Sequence, residues 1–258
     1  MLSVIILAAG LGKRMNNPNI PKVMTSLNNK PLIYYVLNTA NKLKPQKIVL
    51  VVGHHRELLI DYVNNEFKED NIKFAIQYEQ LGTGHATQCA EKEICFNASN
   101  INNNPNIHNI LILSGDVPLL SHKTLNNFLD THISKNSDIS VLTAIADDPS
   151  GYGRIIRNKN NDFIAIVEEK DADKNIKLIT EINSGIYCVK ANLLFNLLKN
   201  VNNKNNQNEY YLTDIIDIGI KQNLNIIAIK NANFKEIQGI NTREQLQEIE
   251  KSFLNNKS

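Results

Sequence analysis

A doubly wound α/β sheet is the fold this sequence predicts. Short apolar runs rich in Val, Ile and Leu alternate with segments whose apolar residues recur at helical spacing, the pattern of β-α units around a buried parallel sheet. A glycine-containing turn, Gly10-Leu11-Gly12, follows the first run, at the carboxyl end where such sheets bind ligands. Of the 258 residues, 42% are hydrophobic and 21% charged, close enough to globular averages to exclude wholesale disorder.

Taken in order, Ser3–Ala8 reads as the first strand. Leu32, Ile33, Val36, Leu37 and Ala40 then fall on one helical face, with Pro31 in the first turn. Lys47–Val52 is a second strand ended by Gly53, and Leu58, Leu59, Tyr62, Val63 and Phe67 mark the next helix. Ile72–Gln77 is a third strand, followed by one helix from about His85 to Ile94. Ile110–Leu113 is a fourth strand, closed by Ser114-Gly115-Asp116; a helix at Thr124–Ile133 and a strand at Ile139–Ile145 follow. Repetition of this kind implies right-handed crossovers. After Pro149 the pattern changes. Arg154–Arg157 and Phe163–Val167 read as strands paired around the turn at Asn158–Asn161, and Ile182–Val189 as another strand. Helices at Leu193–Leu198 and Leu212–Lys221, a strand at Asn225–Ile229 and a terminal helix from about Thr242 complete the chain.

The formal net charge of +2 carries no message for nucleic acid or an anionic membrane. The apolar run after Met1 is too short for a signal peptide or a membrane span. Cys89, Cys95 and Cys188 have no metal-ligand spacing, and three is the wrong number for a disulfide framework. Each reads as a small core residue. The expectation is a cytoplasmic protein with neither nucleic-acid nor membrane partners. Asparagine runs at Asn102-Asn103-Asn104 and Asn202–Asn206 read as surface loops without function.

The strongest chemical signal is Leu7-Ala8-Ala9-Gly10-Leu11-Gly12-Lys13-Arg14-Met15, with Pro21-Lys22 following. Glycines let successive backbone N–H groups turn inward around an anion, and small Ala8 and Ala9 leave room for a flat base or ribose. Arg14 offers a planar fork for phosphate oxygens and Lys22 a mobile point charge. A dinucleotide fingerprint would require glycine at Met15, and a P-loop would require glycine at Leu7 and Ser or Thr at Arg14. Gly10 and Gly12 alone would be an ordinary turn; the two cations at this spacing argue for phosphate.

The run resembles the signature of the sugar-1-phosphate nucleotidylyltransferase family, most closely the uridylyltransferase half of the bifunctional bacterial enzyme that makes UDP-N-acetylglucosamine. The resemblance covers nearly the whole chain. Gln77-Tyr78-Glu79-Gln80-Leu81-Gly82-Thr83-Gly84-His85-Ala86 is similar to the family's uridine-reading loop, and Ser114-Gly115-Asp116-Val117-Pro118-Leu119 to its metal-binding turn. Gly151–Arg154, Val167–Asp171 and Glu181–Gly185 resemble its sugar-pocket segments, and Gly239-Ile240-Asn241 its late metal-ligand motif.

The resemblance implies a Rossmann-like mixed sheet of the nucleotide-diphospho-sugar transferase (GT-A-like) type. Residues 1–258 would form a single domain: a nucleotide-binding half over 1–150, a sugar-binding half over 151–241 and a C-terminal helix over 242–258. It implies transfer of UMP from UTP to N-acetylglucosamine 1-phosphate, releasing pyrophosphate, for cell-envelope precursor synthesis. Arg14 would serve the β,γ-phosphates and Lys22 the α-phosphate, as catalytic residues. Leu7, Ala8, Ala9, Gly10, Gln77, Gly82, Thr83, Ser114 and Gly115 would line the nucleotide site, and Gly153, Glu168 and Asn183 the sugar site. Mg²⁺ would be held by Asp116 and Asn241.

Residue chemistry is consistent with those roles. The Gln77 amide suits the imide edge of uracil, although alone it reads as a strand-end surface residue. Gly82-Thr83-Gly84 opens a helix whose N–H groups favour an anion or carbonyl, with Thr83 as a plain N-cap the bland alternative. Mg²⁺ needs few protein oxygens; alone, Asp116 would be a turn residue and Asn241 the N-cap of the last helix. His54, His55 and His85 read as structural or surface residues.

Lys13 stands where many relatives have Thr, Ser114 where some have an aromatic residue, and Gln238 where an acidic residue is common. No hexapeptide period of a β-helix is present. The expectation is therefore a monomer or weak dimer without acetyltransferase activity, leaving room for a separate acetyltransferase partner. The rival readings are a nucleotidylyltransferase of different base or sugar, a non-catalytic nucleotide-sensing module, and a nicotinamide dehydrogenase, which the missing third glycine disfavours.

Overall fold

β1 (Leu2–Leu7) is succeeded by a 3-10 turn at Lys22–Met24, a small hairpin of β2 (Ser26–Leu27) and β3 (Lys30–Pro31), and α1 (Leu32–Lys42). The β-α alternation continues through β4 (Lys47–Val52), α2 (Arg56–Glu66), β5 (Ile72–Ile76), α3 (Thr83–Cys89), α4 (Glu91–Cys95), β6 (Asn109–Ser114), α5 (His122–Ser134) and β7 (Ile139–Ile145). Then come β8 (Arg154–Arg157), β9 (Phe163–Val167), β10 (Glu181–Lys190), α6 (Ala191–Leu198), α7 (Asp214–Lys221), β11 (Ile226–Lys230), α8 (Phe234–Ile237) and α9 (Arg243–Asn255). The structure, a computed structural model, describes residues 1–10, 12, 19–68, 71–95, 108–230 and 232–255.

Among the described residues, one sheet runs in the order β11-β7-β10-β6-β1-β4-β5, with β8 paired to β10 and β9 to β8. β1 lies parallel to β4 and β6, β4 to β5, and β11 to β7. β10 runs antiparallel to β6 and β7, so the sheet is mixed, as expected. The central strands are buried on both faces, which is why they read as continuous apolar runs rather than alternations. Successive residues still point to opposite sides. Val4 and Ile6 join Ile48, Leu50, Leu111 and Leu113 under α1, α2 and α5. Ile5 joins Val49, Val51, Ile110 and Ile112 under α3, α4, α6 and α7. Each such fully buried side chain contributes about 1.5–3 kcal/mol from removal of apolar surface.

Several elements differ from the sequence reading. The helix expected over His85–Ile94 is split at Ala90 into α3 and α4. The Thr87 hydroxyl donates to the Thr83 carbonyl at 2.9 Å, and Ala90 N–H closes a tighter bond to Thr87 O at 3.1 Å; back-bonding of this kind bends helices. Pro31 is not in the first turn of α1 but ends β3, just before it. The β2–β3 hairpin was not foreseen, although Asn28 (φ 48°) and Asn29 (φ 66°) supply the left-handed pair such turns need. α8 was also missed; Asn233 caps it by accepting from Lys235 N–H at 3.0 Å. Of the cysteines expected in the core, only Cys188 is buried; Cys89 is half-buried and Cys95 exposed. Asn102-Asn103-Asn104 lie outside the described residues. Residues 202–206 do form a surface loop, one tied down by hydrogen bonds: Asn206 donates to Lys170 O at 2.9 Å, and Asn205 Oδ1 accepts from Glu209 N–H at 3.2 Å.

The chain leaves β1 for β4 on one side, and β6 takes the other side of β1. The carboxyl ends of β1, β4, β5 and β6 therefore open on one edge around a switch of strand order, the place where open α/β sheets bind ligands.

Candidate active site

A cleft of about 520 Å³ opens at that edge. Its lining includes Leu7, Ala8, Ala9, Gly10, Lys22, Gln77, Gly82, Thr83, Ser114, Asp116 and Asn241, all expected from the sequence, with Gly12 and Gln80 from the same motifs and Glu209, which belongs to none of them. A second hollow of about 180 Å³ shares Leu7, Thr83 and Ser114 with it and continues to Glu168 and Asn183. Gly115 and Gly153 lie behind these surfaces. Gly115 N–H donates to Leu7 O at 2.9 Å, tying β6 to β1. A Cβ on Gly153 would stand 3.4 Å from Glu168 Oε2 and 3.5 Å from Asn183 Cβ, so its empty side is filled by the protein's own groups. Arg14 lies outside the described residues, as does Lys13.

Ala8 and Ala9 turn out to be only 3% and 4% exposed, and their methyls enter the two opposite cores. Their small size serves close packing of the loop on the sheet. Gly12 has φ +60°, and a Cβ there would lie 2.6 Å from Lys22 Cβ. Glycine is therefore required for the loop to cross against Lys22.

Three expected residues converge on one point. Lys22 Nζ makes an ion pair with Asp116 Oδ2 and donates to Asn241 Oδ1 at 2.6 Å. Lys22 had been expected at a phosphate and the other two on a metal; the structure joins all three in one cluster. Asp116 arrives from the end of β6, and Asn241 from 125 positions later in the chain, held by Ile240 N–H donating to Asp116 O at 3.0 Å. Asn241 is not the cap of the last helix. Thr242 takes that place: its hydroxyl accepts from Gln245 N–H at 3.3 Å, and Gln245 Oε1 accepts from Thr242 N–H at 3.1 Å, a reciprocal capping box. The Asn241 side chain is thereby left to face Lys22. Among the described residues no cluster of three or more His, Cys, Asp or Glu side chains could hold a metal. Two hard oxygens, Asp116 Oδ2 and Asn241 Oδ1, nevertheless meet around one cation, the Lys22 ammonium, and this donor set fits Mg²⁺, which keeps few protein ligands.

At the other end of the cleft, Gln77 is 4% exposed and so is no surface residue. Its Nε2 donates to Gly82 O at 3.1 Å and lies 3.1 Å from His85 Nδ1. Gly82 has φ +109°, and a Cβ there would strike Tyr210 O at 2.6 Å. Gly82, not Thr83, is the cap of α3. The Thr83 hydroxyl instead accepts from Leu212 N–H at 3.0 Å. Gly84 N–H is spent on Tyr210 O at 2.7 Å.

In the second hollow the polar groups are held by side chains and one backbone N–H. Asn183 Nδ2 donates to Tyr187 Oη at 2.7 Å, and Asn183 Oδ1 accepts from Gly185 N–H at 3.0 Å. The register of β10 against β7 shifts between Asn183 and Tyr187. Bulges of this kind re-aim side chains near sites; Gly185 inside a strand was the signal that could have revealed it. Thr213 donates to Glu168 Oε1 at 3.1 Å. Burial pushes the Glu168 carboxyl above the ordinary range against that bond, and Asp171, Asp214 and Glu209 push it the same way. Beneath, Arg154, 1% exposed, pairs with Glu169 at 2.8 Å and so clamps two of the three expected sugar-pocket segments together. Tyr152 lines the hollow and meets Phe234 of α8 edge-on at 5.7 Å. Tyr152, Tyr187 and Thr213 were not identified from the sequence as site residues.

Among curated proteins, the chain is 42% identical over 252 residues to the bifunctional protein GlmU of Thermosipho africanus, covering 98% of this chain and 50% of that relative. It is 43% identical over 255 residues to the bifunctional protein GlmU of Francisella tularensis subsp. novicida, covering 99% and 52%. The chain thus spans about half the length of the curated relatives it matches. Of solved structures, a UDP-glucose pyrophosphorylase complexed with UDP-glucose superposes with TM-score 0.78 at 18% identity, covering 98% of each chain. HddC from Yersinia pseudotuberculosis complexed with GMP-PN superposes with TM-score 0.68 at 22% identity, covering 98% of this chain and 100% of the other. Those likenesses establish the fold alone. The profile of the nucleotidyl transferase family matches residues 3–235, a span that takes in both walls of the cleft, and the chain belongs to that family.

Proposed function

We propose that this chain transfers UMP from UTP to N-acetylglucosamine 1-phosphate, giving UDP-N-acetylglucosamine and pyrophosphate. One observation carries the reading. The Lys22–Asp116–Asn241 cluster lies in a continuous cleft with the Gln77 amide, and that cleft adjoins a second polar hollow with Glu168 and Asn183. That arrangement supports a reading in which a base, phosphates and a sugar are bound in adjoining hollows. Identity above 40% to the bifunctional GlmU relatives across nearly the whole chain supports the choice of base and sugar.

The reaction is an in-line displacement. A phosphate oxygen of the sugar phosphate attacks the α-phosphorus of UTP, and the bond to the pyrophosphate oxygen breaks. That nucleophile is already anionic, so no general base is needed. The protein's work is to align two polyanions and offset their charge. Lys22 leaves its carboxylate and amide partners to meet the α-phosphate, and Arg14 meets the β,γ-phosphates. Asp116 and Asn241 would hold Mg²⁺, which neutralises phosphate charge when bound. Gln77 reads the uracil edge, while Glu168 and Asn183 take the sugar hydroxyls and the acetamido group. As a reading of cellular role, the product serves cell-envelope precursor synthesis in the cytoplasm.

Pyrophosphate release from UTP, measured with N-acetylglucosamine, glucosamine and glucose 1-phosphates, tests this. Release is expected to be fastest with the first and to stop on chelation of divalent cations. Binding of UTP without release for any sugar phosphate would favour a nucleotide-sensing module instead.

A further inference from the structure

We infer that His85 is a positioning residue for base choice: its Nδ1 holds one amide hydrogen of Gln77, so that the Gln77 carbonyl is presented to the base. This rests on the uridine reading above and adds to it the group that enforces selection. A free glutamine is a poor discriminator, because rotating its amide by half a turn exchanges donor for acceptor. Here the amide is locked. Gly82 O can only accept, and it stands 3.1 Å from the Gln77 amide nitrogen. The reverse rotamer would put two acceptors in contact. The second amide hydrogen has His85 Nδ1 at 3.1 Å. That bond requires the imidazole proton on Nε2, which faces the weak acceptor Cys89 Sγ at 3.9 Å. Both amide hydrogens are thereby used, and Gln77 Oε1 accepts from no described residue. A carbonyl in that position takes the N–H at the centre of the uracil edge. Cytosine has a lone pair there instead and would need the amide reversed, against both locks.

His85 earns this place by its position on α3. It lies in the first turn, directly after the Gly82–Gly84 segment that is pinned to Tyr210. The helix thus fixes imidazole and carbonyl with one piece of backbone.

The test is the ratio of UTP to CTP affinity, read by calorimetric titration on the intact protein, with turnover measured in parallel. His85→Phe should narrow the ratio about tenfold, the worth of one hydrogen bond. His85→Asn places an amide oxygen near the position of Nδ1 and should hold the ratio within about threefold of the unaltered protein, following the acceptor chemistry of that atom. A ratio unchanged in a folded His85→Phe protein would overturn the inference. So would a loss in His85→Asn equal to that in His85→Phe, because the acceptor would then be irrelevant, and so would a ratio near one before any substitution. Failure of the enzymatic reading would show differently: no pyrophosphate release from any sugar phosphate, with the UTP preference and its dependence on His85 intact.

Discussion

On the wall formed by β1, β5 and β6, functional groups stand on backbone that the sheet itself sets. Asp116 follows the end of β6, Gln77 the end of β5, and Lys22 is crossed by Gly12 of the β1 loop. On the facing wall, Glu168 and Asn183 lean on other side chains as well as on backbone: Thr213 on Glu168, Tyr187 and Gly185 N–H on Asn183, and the Arg154–Glu169 pair beneath them. A wall built on strand ends tolerates little change in position, because the same hydrogen bonds hold the core. A wall built from side-chain pairs can be re-tuned one residue at a time. The difference suggests that phosphate chemistry is carried by the first wall and acceptor choice by the second.

The largest effect should therefore come from the first wall. Lys22→Ala is expected to lower kcat about 10²–10³-fold, the usual consequence of losing one preorganised charge donor. Asp116→Asn should lower turnover comparably while leaving UTP binding to the metal-free protein nearly unchanged. Steady-state kinetics at limiting Mg²⁺, set beside UTP titrations, checks both. A Lys22→Ala effect confined to KM would move that residue from transition-state contact to uniform binding.

This contrast also explains what could be read from the sequence. Strand ends followed by Gly10, Gly53, Gln77 and Ser114-Gly115-Asp116 are local signals, because period and turn chemistry are written in adjacent residues. The main strands and most helices were legible for the same reason. Tyr187, Thr213 and the Arg154–Glu169 pair were not, since their roles depend on contacts between segments that no spacing reveals. The sequence reads His85 as a structural or surface residue; that its Nδ1 lies 3.1 Å from the Gln77 amide nitrogen is visible only in the geometry. For Asn241 only the bland alternative, the cap of the last helix, fails, because a capping box on Thr242 and Gln245 competes with the simpler Asn signal.

A clamp under the second wall should show itself in stability. Glu169→Gln leaves the Arg154 guanidinium buried without its charge partner, and breaking such a pair costs about 3 kcal/mol. Chemical denaturation of the variant should show that loss. A change below about 1 kcal/mol, typical of exposed pairs, would mean that the two segments are held by their strand pairing alone.

A buried histidine where α5 packs on the starts of β6 and β7 should respond to acid. His132 on α5 lies 2.8 Å from Ser140 Oγ of β7 and 3.3 Å from Asn109 Oδ1 of β6. Burial holds its pKa down at about 4, with Lys190 adding to the depression and Asp138 opposing it. A base depressed in the folded state is neutral there while the unfolded chain takes up a proton. Its contribution is complete above pH 6.5 and is lost as pH falls from 6.5 toward 4, about 2 kcal/mol of it by pH 5. His132→Gln should flatten that part of the stability–pH curve. An unchanged slope between pH 7 and pH 5 would assign the acid sensitivity to other groups.

The smallest effect, and the one that separates the walls most cleanly, concerns the acceptor. Asn183 makes one bond to Tyr187 and one from Gly185, leaving one amide hydrogen and one lone pair of its carbonyl for a ligand. A pocket that hydrogen-bonds a substrate group rejects analogues lacking it, because its own polar atoms are then left unpaired. N-acetylglucosamine 1-phosphate should accordingly be preferred to glucose 1-phosphate by about a hundredfold in kcat/KM. Asn183→Ala removes one of the groups that would be stranded and should narrow that preference about tenfold, chiefly by lowering kcat/KM for the acetamido sugar. UTP over CTP should be untouched, because neither Gln77 nor His85 lines the hollow that holds Asn183. If Asn183→Ala shifted the choice of base as much as the choice of sugar, the two walls would not be separable, and acceptor choice would have to be sought in the phosphate cluster they share. Equal use of both sugars by the unaltered protein would refute the acetamido assignment while leaving the proposed roles of Lys22, Asp116 and Asn241 in place.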